Sequence, residues 1–309
     1  MYTKTEFSFP SQSGLCDIHA AKYLPEGAPK AVFQIAHGMA EHFERYEKFI
    51  AVLCEAGLAV FVNDHIGHGK SVASEEDKGY FGKDTWHTMV ADCHTLYETA
   101  HAEYPDLPYF FFGHSMGSFV AREYAREYGQ DLAGAIFCGT GGSNPAVGMG
   151  IALSKMIAGC KGERHRSKFI NGMAFGAYNK KFAGRTEFDW LTKDTTVVDD
   201  YIADPDCGYL FTLNGYITLF DILREVSTPA CYEQIRKDLP MLLVAGKMDP
   251  VGNFGKGVSE VCDKLVATGH DKVEMHLYDD CRHEILNESE MFQEVCSDIL
   301  AFVNENLSK

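Results

Sequence analysis

No stretch of this 309-residue chain approaches the roughly 18–20 consecutive apolar residues that crossing a bilayer requires, so no transmembrane helix is expected. The first residues, Met1-Tyr2-Thr3-Lys4-Thr5-Glu6-Phe7, have neither a basic nor an apolar leader region, and no secretory signal is read there. The ten cysteines form no C-x-x-C pair. Several of them (Cys54, Cys93, Cys138, Cys262, Cys296) fall inside periodic apolar segments, which points to reduced, buried thiols in a cytoplasmic protein rather than to disulfides or zinc. Positive charge is scarce as well. With 28 Lys and Arg against 44 Asp and Glu, the net charge is −16. Nucleic acid is excluded as a partner, because binding a phosphate backbone needs a basic face. Internal repeats and low-complexity tracts are also missing.

What is present is the composition of a globular protein, long enough for a full core. Strand patterns occur at Thr5–Ser8, Asp17–Tyr23, Ala31–Ala36, Leu58–Val62, Tyr109–Phe112, Ala133–Cys138, Leu239–Ala245 and Lys272–Tyr278. Helical periodicity covers about 46–55, 85–104, 257–267 and 289–306, and Pro105 stops the second of these. Alternating helices and mostly unbroken apolar strands predict an α/β fold, a mainly parallel sheet with helices on both faces. Residues 143–225 break the rhythm with short helical pieces rich in Met, Phe, Tyr and Gly. They read as a mainly helical cap inserted into a core formed by residues 1–142 and 226–309.

The chain is organised around Tyr109-Phe110-Phe111-Phe112-Gly113-His114-Ser115-Met116-Gly117-Ser118. A buried strand ends in Gly-x-Ser-x-Gly and a helix begins at once, the context of a nucleophile elbow. Gly113 and Gly117 keep the tight turn free of side chains, and Ser115 stands at a helix N-terminus that favours developing negative charge. A serine hydroxyl needs a base, and the base needs an orienting group. With this strand order the acid is expected after the strand that follows the insertion, and the histidine after the last strand. Asp249 and His283 occupy those places. His270 and His276 precede or lie within a strand, and Asp279 and Asp280 are too close to His283 in sequence to bridge from the neighbouring strand end. The backbone N–H groups of Met116 and of Met39, in the loop His37-Gly38-Met39, are expected to form the oxyanion hole. His37 with Glu41 and His42, and Asp64 with His65 and His68, look metal-like but lack an established spacing with a third ligand. Loop-shaping hydrogen bonds are the expected role of these residues, and Glu41 and Arg45 are expected to pair at i, i+4. No metal or cofactor is called for.

The stretches His37-Gly38-Met39-Ala40-Glu41-His42-Phe43-Glu44-Arg45-Tyr46, Asp64-His65-Ile66-Gly67-His68-Gly69-Lys70-Ser71 and Gly113-His114-Ser115-Met116-Gly117, with those around Asp249 and His283, resemble the monoacylglycerol lipase/lysophospholipase branch of the α/β-hydrolases. The insertion is similar to bacterial lysophospholipases around Asp189–Asp194 and Ala203–Gly208. The resemblance implies a capped serine hydrolase acting on esters with one acyl chain: monoacylglycerols, lysophospholipids or small synthetic esters. Met39 departs from the alanine of the mammalian monoglyceride enzymes, which narrows the acyl entry and leaves the backbone donor unchanged. The same triad also serves an aminopeptidase such as a proline iminopeptidase, or an acyltransferase, and a ligand receptor can be built on the scaffold.

Charge is uneven along the chain. Residues 144–185 carry eight basic side chains and one acidic side chain, Glu163. This basic, methionine-rich stretch either touches an anionic lipid surface transiently or pairs with the acidic body. The sequence gives no oligomeric state.

Overall fold

The computed structural model describes residues 1–182 and 184–307. In chain order the regular elements are β1 (Tyr2–Pro10), β2 (Asp17–Pro25), β3 (Ala31–Ala36), α1 (Glu47–Glu55), β4 (Leu58–Asn63), α2 (Thr85–Glu103), β5 (Tyr109–His114), α3 (Met116–Tyr128) and β6 (Gly134–Cys138). They continue with α4 (Val147–Lys161), α5 (Lys168–Phe175), α6 (Thr195–Ala203), α7 (Leu213–Val226), α8 (Pro229–Gln234), β7 (Met241–Gly246), α9 (Lys256–Ala267), β8 (Val273–Tyr278) and α10 (Phe292–Glu305).

The strands form one sheet of order β1-β2-β4-β3-β5-β6-β7-β8. The β2 strand runs antiparallel to both neighbours, and every pairing from β4 to β8 is parallel. Parallel strands covered on both faces read as continuous apolar runs, and the sheet has a separate core on each side. Phe111, Phe137 and Leu243 point into the core shared with α2, α3, α8 and α9. Phe110, Phe112, Ile136 and Val244 alternate with them into the core shared with α1 and α10.

Two boundaries differ from the sequence reading for identifiable reasons. The first strand is nine residues long rather than four, paired along its length with β2. It is a mostly exposed edge, so apolar alternation marks only its end, at Phe7 and Phe9, and not its first five residues. The expected strand from Leu239 begins at Met241, because Pro240 cannot donate to a ladder.

Between β6 and β7 the described residues hold helices and turns and no strand. The α7 helix packs on α2, α3 and α4. Several bonds from this region reach loops at the C-terminal ends of the strands. Gly208 N and Tyr201 Oη donate to Ala40 O at 3.0 Å, and Tyr209 Oη donates to Gly67 O at 3.0 Å.

Candidate active site

The elbow explains its own glycines. A Cβ on Gly113 would overlap the Gly117 carbonyl, and one on Gly117 would overlap the carbonyl of Ala36 at the end of β3. With both positions bare, β5 lies against β3 (Ala36 opposite Gly113) and α3 starts directly over the sheet. Ser115 absorbs the turn at φ 54°, ψ −120°, a left-handed conformation that side chains rarely adopt. It is half-buried, and its N–H donates to Cys138 O on β6 at 2.9 Å. Met116 opens α3, so its N–H has no partner four residues earlier within the helix.

Across from the serine, the parallel register brings together the loops after β3, β6, β7 and β8. An added Cβ on Gly38 would lie 3.2 Å from Ser115 Cβ, so the loop bearing Met39 runs directly beside the serine. Asp249 is fully buried beyond β7 and His283 is buried beyond β8. His283 Nδ1 faces Asp249 Oδ2 at 3.0 Å, while Asp249 Oδ1 accepts from Val251 N at 2.8 Å. An ionised carboxylate accepts only, so Nδ1 carries the proton and Nε2 is left as the basic nitrogen. Two further glycines set the histidine. A Cβ on Gly246 would collide with the Cys281 and Arg282 carbonyls, and one on Gly139 would press on the His283 ring at 3.2 Å. Trp190, from the insertion, packs on the same ring with centroids 5.1 Å apart. Glycine and tryptophan so far from the motif in sequence carry no local signal of this role.

The largest gap in the sequence reading lies behind the histidine. The expected Glu41–Arg45 contact is present, at 2.5 Å, yet it is half of a larger buried cluster. Arg45 also grips Glu284 in a two-pronged fork, both N–O distances being 2.7 Å. Glu41 Oε1 accepts from Gly38 N at 2.6 Å and from Tyr46 Oη at 2.8 Å. His114, the variable residue of the elbow, has Nδ1 3.4 Å from Glu41 Oε1 and Nε2 3.3 Å from the His283 carbonyl. Burial alone would raise the Glu41 and Glu284 carboxyls. Arg45 outweighs it and holds both below their ordinary range, Glu41 well below. For His114 burial works downward and Glu41 overcomes it, so its pKa is raised. Tyr46 Oη also meets His114 Nδ1, at 2.9 Å.

Of the residues that looked metal-like, His37 and Asp64 are spent on loop geometry. His37 Nδ1 meets Gly38 O at 2.8 Å, and its Nε2 accepts from His65 N at 2.9 Å. Asp64 accepts from Phe43 N and Lys70 N, both at 3.0 Å. Burial lowers the pKa values of His37, His65 (to about 4) and His68 (to about 3), so these rings pack as neutral aromatics. His65 lies 4.4 Å from His37 between centroids.

A sheet of this order, with a Gly-x-Ser-x-Gly turn after β5 and an acid–histidine pair beyond β7 and β8, defines an α/β-hydrolase. The chain belongs to the Hydrolase_4 family, described as "Serine aminopeptidase, S33", which it matches over residues 27–290. It is 33% identical to the monoglyceride lipase of Rattus norvegicus over 74% of this chain and 68% of that one. It is 27% identical to the monoacylglycerol lipase of Mycolicibacterium smegmatis over 99% of both. Among solved structures, a highly thermostable carboxyl esterase from Bacillus coagulans in complex with glycerol superposes with a TM-score of 0.93 at 33% identity, over 99% of this chain and 100% of that one.

Proposed function

We infer that this serine ester hydrolase cleaves esters of a single acyl chain, such as monoacylglycerols, lysophospholipids or short and medium-chain esters, through an acyl-enzyme on Ser115. The observation that carries this reading is the buried His283–Asp249 pair, 3.0 Å apart beyond β7 and β8, together with an elbow serine at positive φ after β5 of the same sheet. In the reaction, Ser115 Oγ attacks the ester carbonyl as His283 Nε2 takes its proton, and Asp249 stabilises the imidazolium. The oxyanion is received by the N–H groups of Met39 and Met116. His283 then protonates the departing alcohol, and the same nitrogen activates the water that releases the fatty acid. Residues 143–225 act as a cap over the strand ends, a role supported by the Trp190–His283 contact and the bonds to Ala40. The cap meets anionic lipid through exposed Met149, Met156, Phe169 and Met173, which lie among exposed Lys155, Lys161 and Lys168. Ten unpaired cysteines fit a reducing cytoplasm.

The family description makes an aminopeptidase the second reading. That activity needs a carboxylate free to hold the substrate's amine. Asp189 is occupied by Arg185 N and Thr186, Asp194 by the N-terminus of α6 and Ser289, and Asp199 by Arg185. Glu41 and Glu284 are held by Arg45. Asp200, exposed on α6, is not engaged in this way among the described residues, so a substrate panel decides between the two readings.

The test is a hydrolysis panel of p-nitrophenyl esters of graded length, monoacylglycerols, lysophospholipids and aminoacyl amides, run beside fluorophosphonate labelling. Ester turnover and labelling should both vanish in Ser115→Ala with the melting temperature kept. Asp249→Asn should lose up to about 10⁴-fold in kcat through the wrong tautomer. Labelling that persists in Ser115→Ala would refute the nucleophile. Amide turnover exceeding ester turnover would refute the substrate class.

A further inference from the structure

His42 lies two residues beyond Ala40 in the loop that leaves β3, and the insertion supplies it with partners from far along the chain. His42 Nε2 is 2.9 Å from Asp204 Oδ2. One ligand atom each from His42, Asp204 and Cys207 lie within 4.8 Å of one another. We propose that these three side chains bind a zinc-class divalent ion that ties the insertion to the loop carrying Gly38 and Met39.

The site is held by bonds that leave His42 Nε2, Asp204 Oδ2 and Cys207 Sγ free to ligate. Ala40 sits at φ 50°, and its carbonyl receives Gly208 N and Tyr201 Oη, both at 3.0 Å. The 204–207 turn is closed by Cys207 N donating to Asp204 O at 3.1 Å and Asp206 N donating to Asp204 Oδ1 at 2.8 Å. Lys78 anchors its outer side through Asp206, at 2.7 Å. Zinc–ligand lengths of about 2.0–2.3 Å place tetrahedral donors about 3.3–3.7 Å apart. Side-chain rotation of about 1 Å therefore gathers all three, and water fills the fourth position.

Thiolate, imidazole and carboxylate together suit a borderline-soft ion, whereas magnesium and calcium require oxygen donors. Asp204 keeps 31% of its side-chain exposure and His42 13%, so an ion has a path in. Glu44 Oε2 lies 3.9 Å from His42 Nδ1, the nitrogen facing away from Asp204, and adds negative charge. Arg45 and Lys78 are the nearby cations; Arg45 is met by Glu41 and Glu284, and Lys78 by Glu75 and Asp206. On binding, the Cys207 S–H proton passes to solvent as the sulfur–metal bond forms. The His42–Asp204 hydrogen bond gives way to two metal bonds, the Nε2 proton being lost while Nδ1, on the side of Glu44, carries the ring's N–H, and nothing is oxidised or reduced. His42 looked ligand-like in the sequence beside His37 and Glu41. The fold sends those two elsewhere and supplies a carboxylate and a thiol instead.

The test strips the purified full-length chain with EDTA and titrates it with zinc by calorimetry, then with cobalt by absorption. The expected result is one ion per chain, a thiolate-to-cobalt charge-transfer band, and a melting temperature that rises with zinc. Cys207→Ser and His42→Gln should each lose the band or weaken zinc binding by more than the roughly 10–100-fold that an outer-shell partner is worth. Should either variant melt early without metal, Asp204→Asn carries the same comparison. Other sites among the ten cysteines and thirteen histidines would bind zinc equally well in wild type and variants. That equality, or the lack of any thiolate band in the wild type, overturns the proposal.

Discussion

Glu284 is covalently next to His283, and its carboxylate is held in the fork of Arg45. A charge withdrawn from a buried pair leaves its partner uncompensated, which typically costs about 3–5 kcal/mol. Glu284→Gln keeps the shape and one acceptor, so its loss falls at the low end of that range. The sharper expectation is kinetic. The Arg45 fork fixes the backbone that presents His283, so kcat on a soluble p-nitrophenyl ester should fall about 10-fold or more with KM little changed. An unchanged kcat in a variant with a lowered melting temperature would show that Glu284 only stabilises. The strand-end positions of Ser115, Asp249 and His283 were legible in the sequence, because turn residues announce each of them. Glu41 and Arg45 were legible as an i, i+4 pair. Glu284 was not, since its partner is 239 positions away and nothing local distinguishes it from a surface acid. Gly139, Gly246 and Trp190 were missed for the same reason.

At the scale of elements, α2 carries a buried acid that the chemistry does not use. Asp92 accepts from Gln12 N at 2.7 Å and Ser11 Oγ at 2.9 Å, holding the β1–β2 turn against the helix. Burial pushes its carboxyl from 3.8 up to about 6, and the two hydrogen bonds oppose that only in part. The folded group thus binds its proton more tightly than the unfolded one. The ionised acid weakens the fold; stability rises as pH falls from about 6 toward 3.8 and is flat above that window. Asp92→Asn keeps an acceptor for Gln12 and can donate to Ser11. It should be more stable than the wild type at pH 8 by on the order of 1–3 kcal/mol, an advantage that shrinks by pH 4. Thermal melts at the two pH values read this directly, and a variant less stable at pH 8 would mean that the charged hydrogen bonds outweigh burial. The turn itself was legible from Ser11-Gln12-Ser13-Gly14. Its docking on α2 was not, because the pairing is tertiary and Asp92 falls within an otherwise ordinary helical pattern.

For the whole molecule, the parallel sheet was readable because its strands are buried on both faces, and the stretch between β6 and β7, without strands among the described residues, was readable as a loss of rhythm. Its charge was ambiguous, and the structure divides it. Arg164 pairs with Asp77 and lies 3.9 Å over the Tyr80 ring, and Arg166 reaches the carbonyls of Leu210, Glu76 and Lys78. These two arginines hold the insertion to the body. Lys155, Lys161 and Lys168 are exposed instead, near Met149 and Met156, seven residues apart on one side of α4, and Phe169 and Met173, four apart on α5. A lysine at an anionic surface contributes about 1 kcal/mol. Replacing all three by Gln should therefore weaken binding to phosphatidylserine vesicles by up to about 100-fold. Turnover of monoacylglycerol held in those vesicles should fall with it, while kcat/KM on a soluble short ester and the melting temperature stay unchanged. Raised salt should erase the difference between wild type and variant on vesicles, because exposed charges are screened within about 10 Å at 0.1 M. Arg164→Gln with Arg166→Gln should behave oppositely, lowering the melting temperature and reducing turnover of both substrates. If the lysine variant instead lost both activities together, the lysines too would belong to the fold and the lipid-facing role would fall.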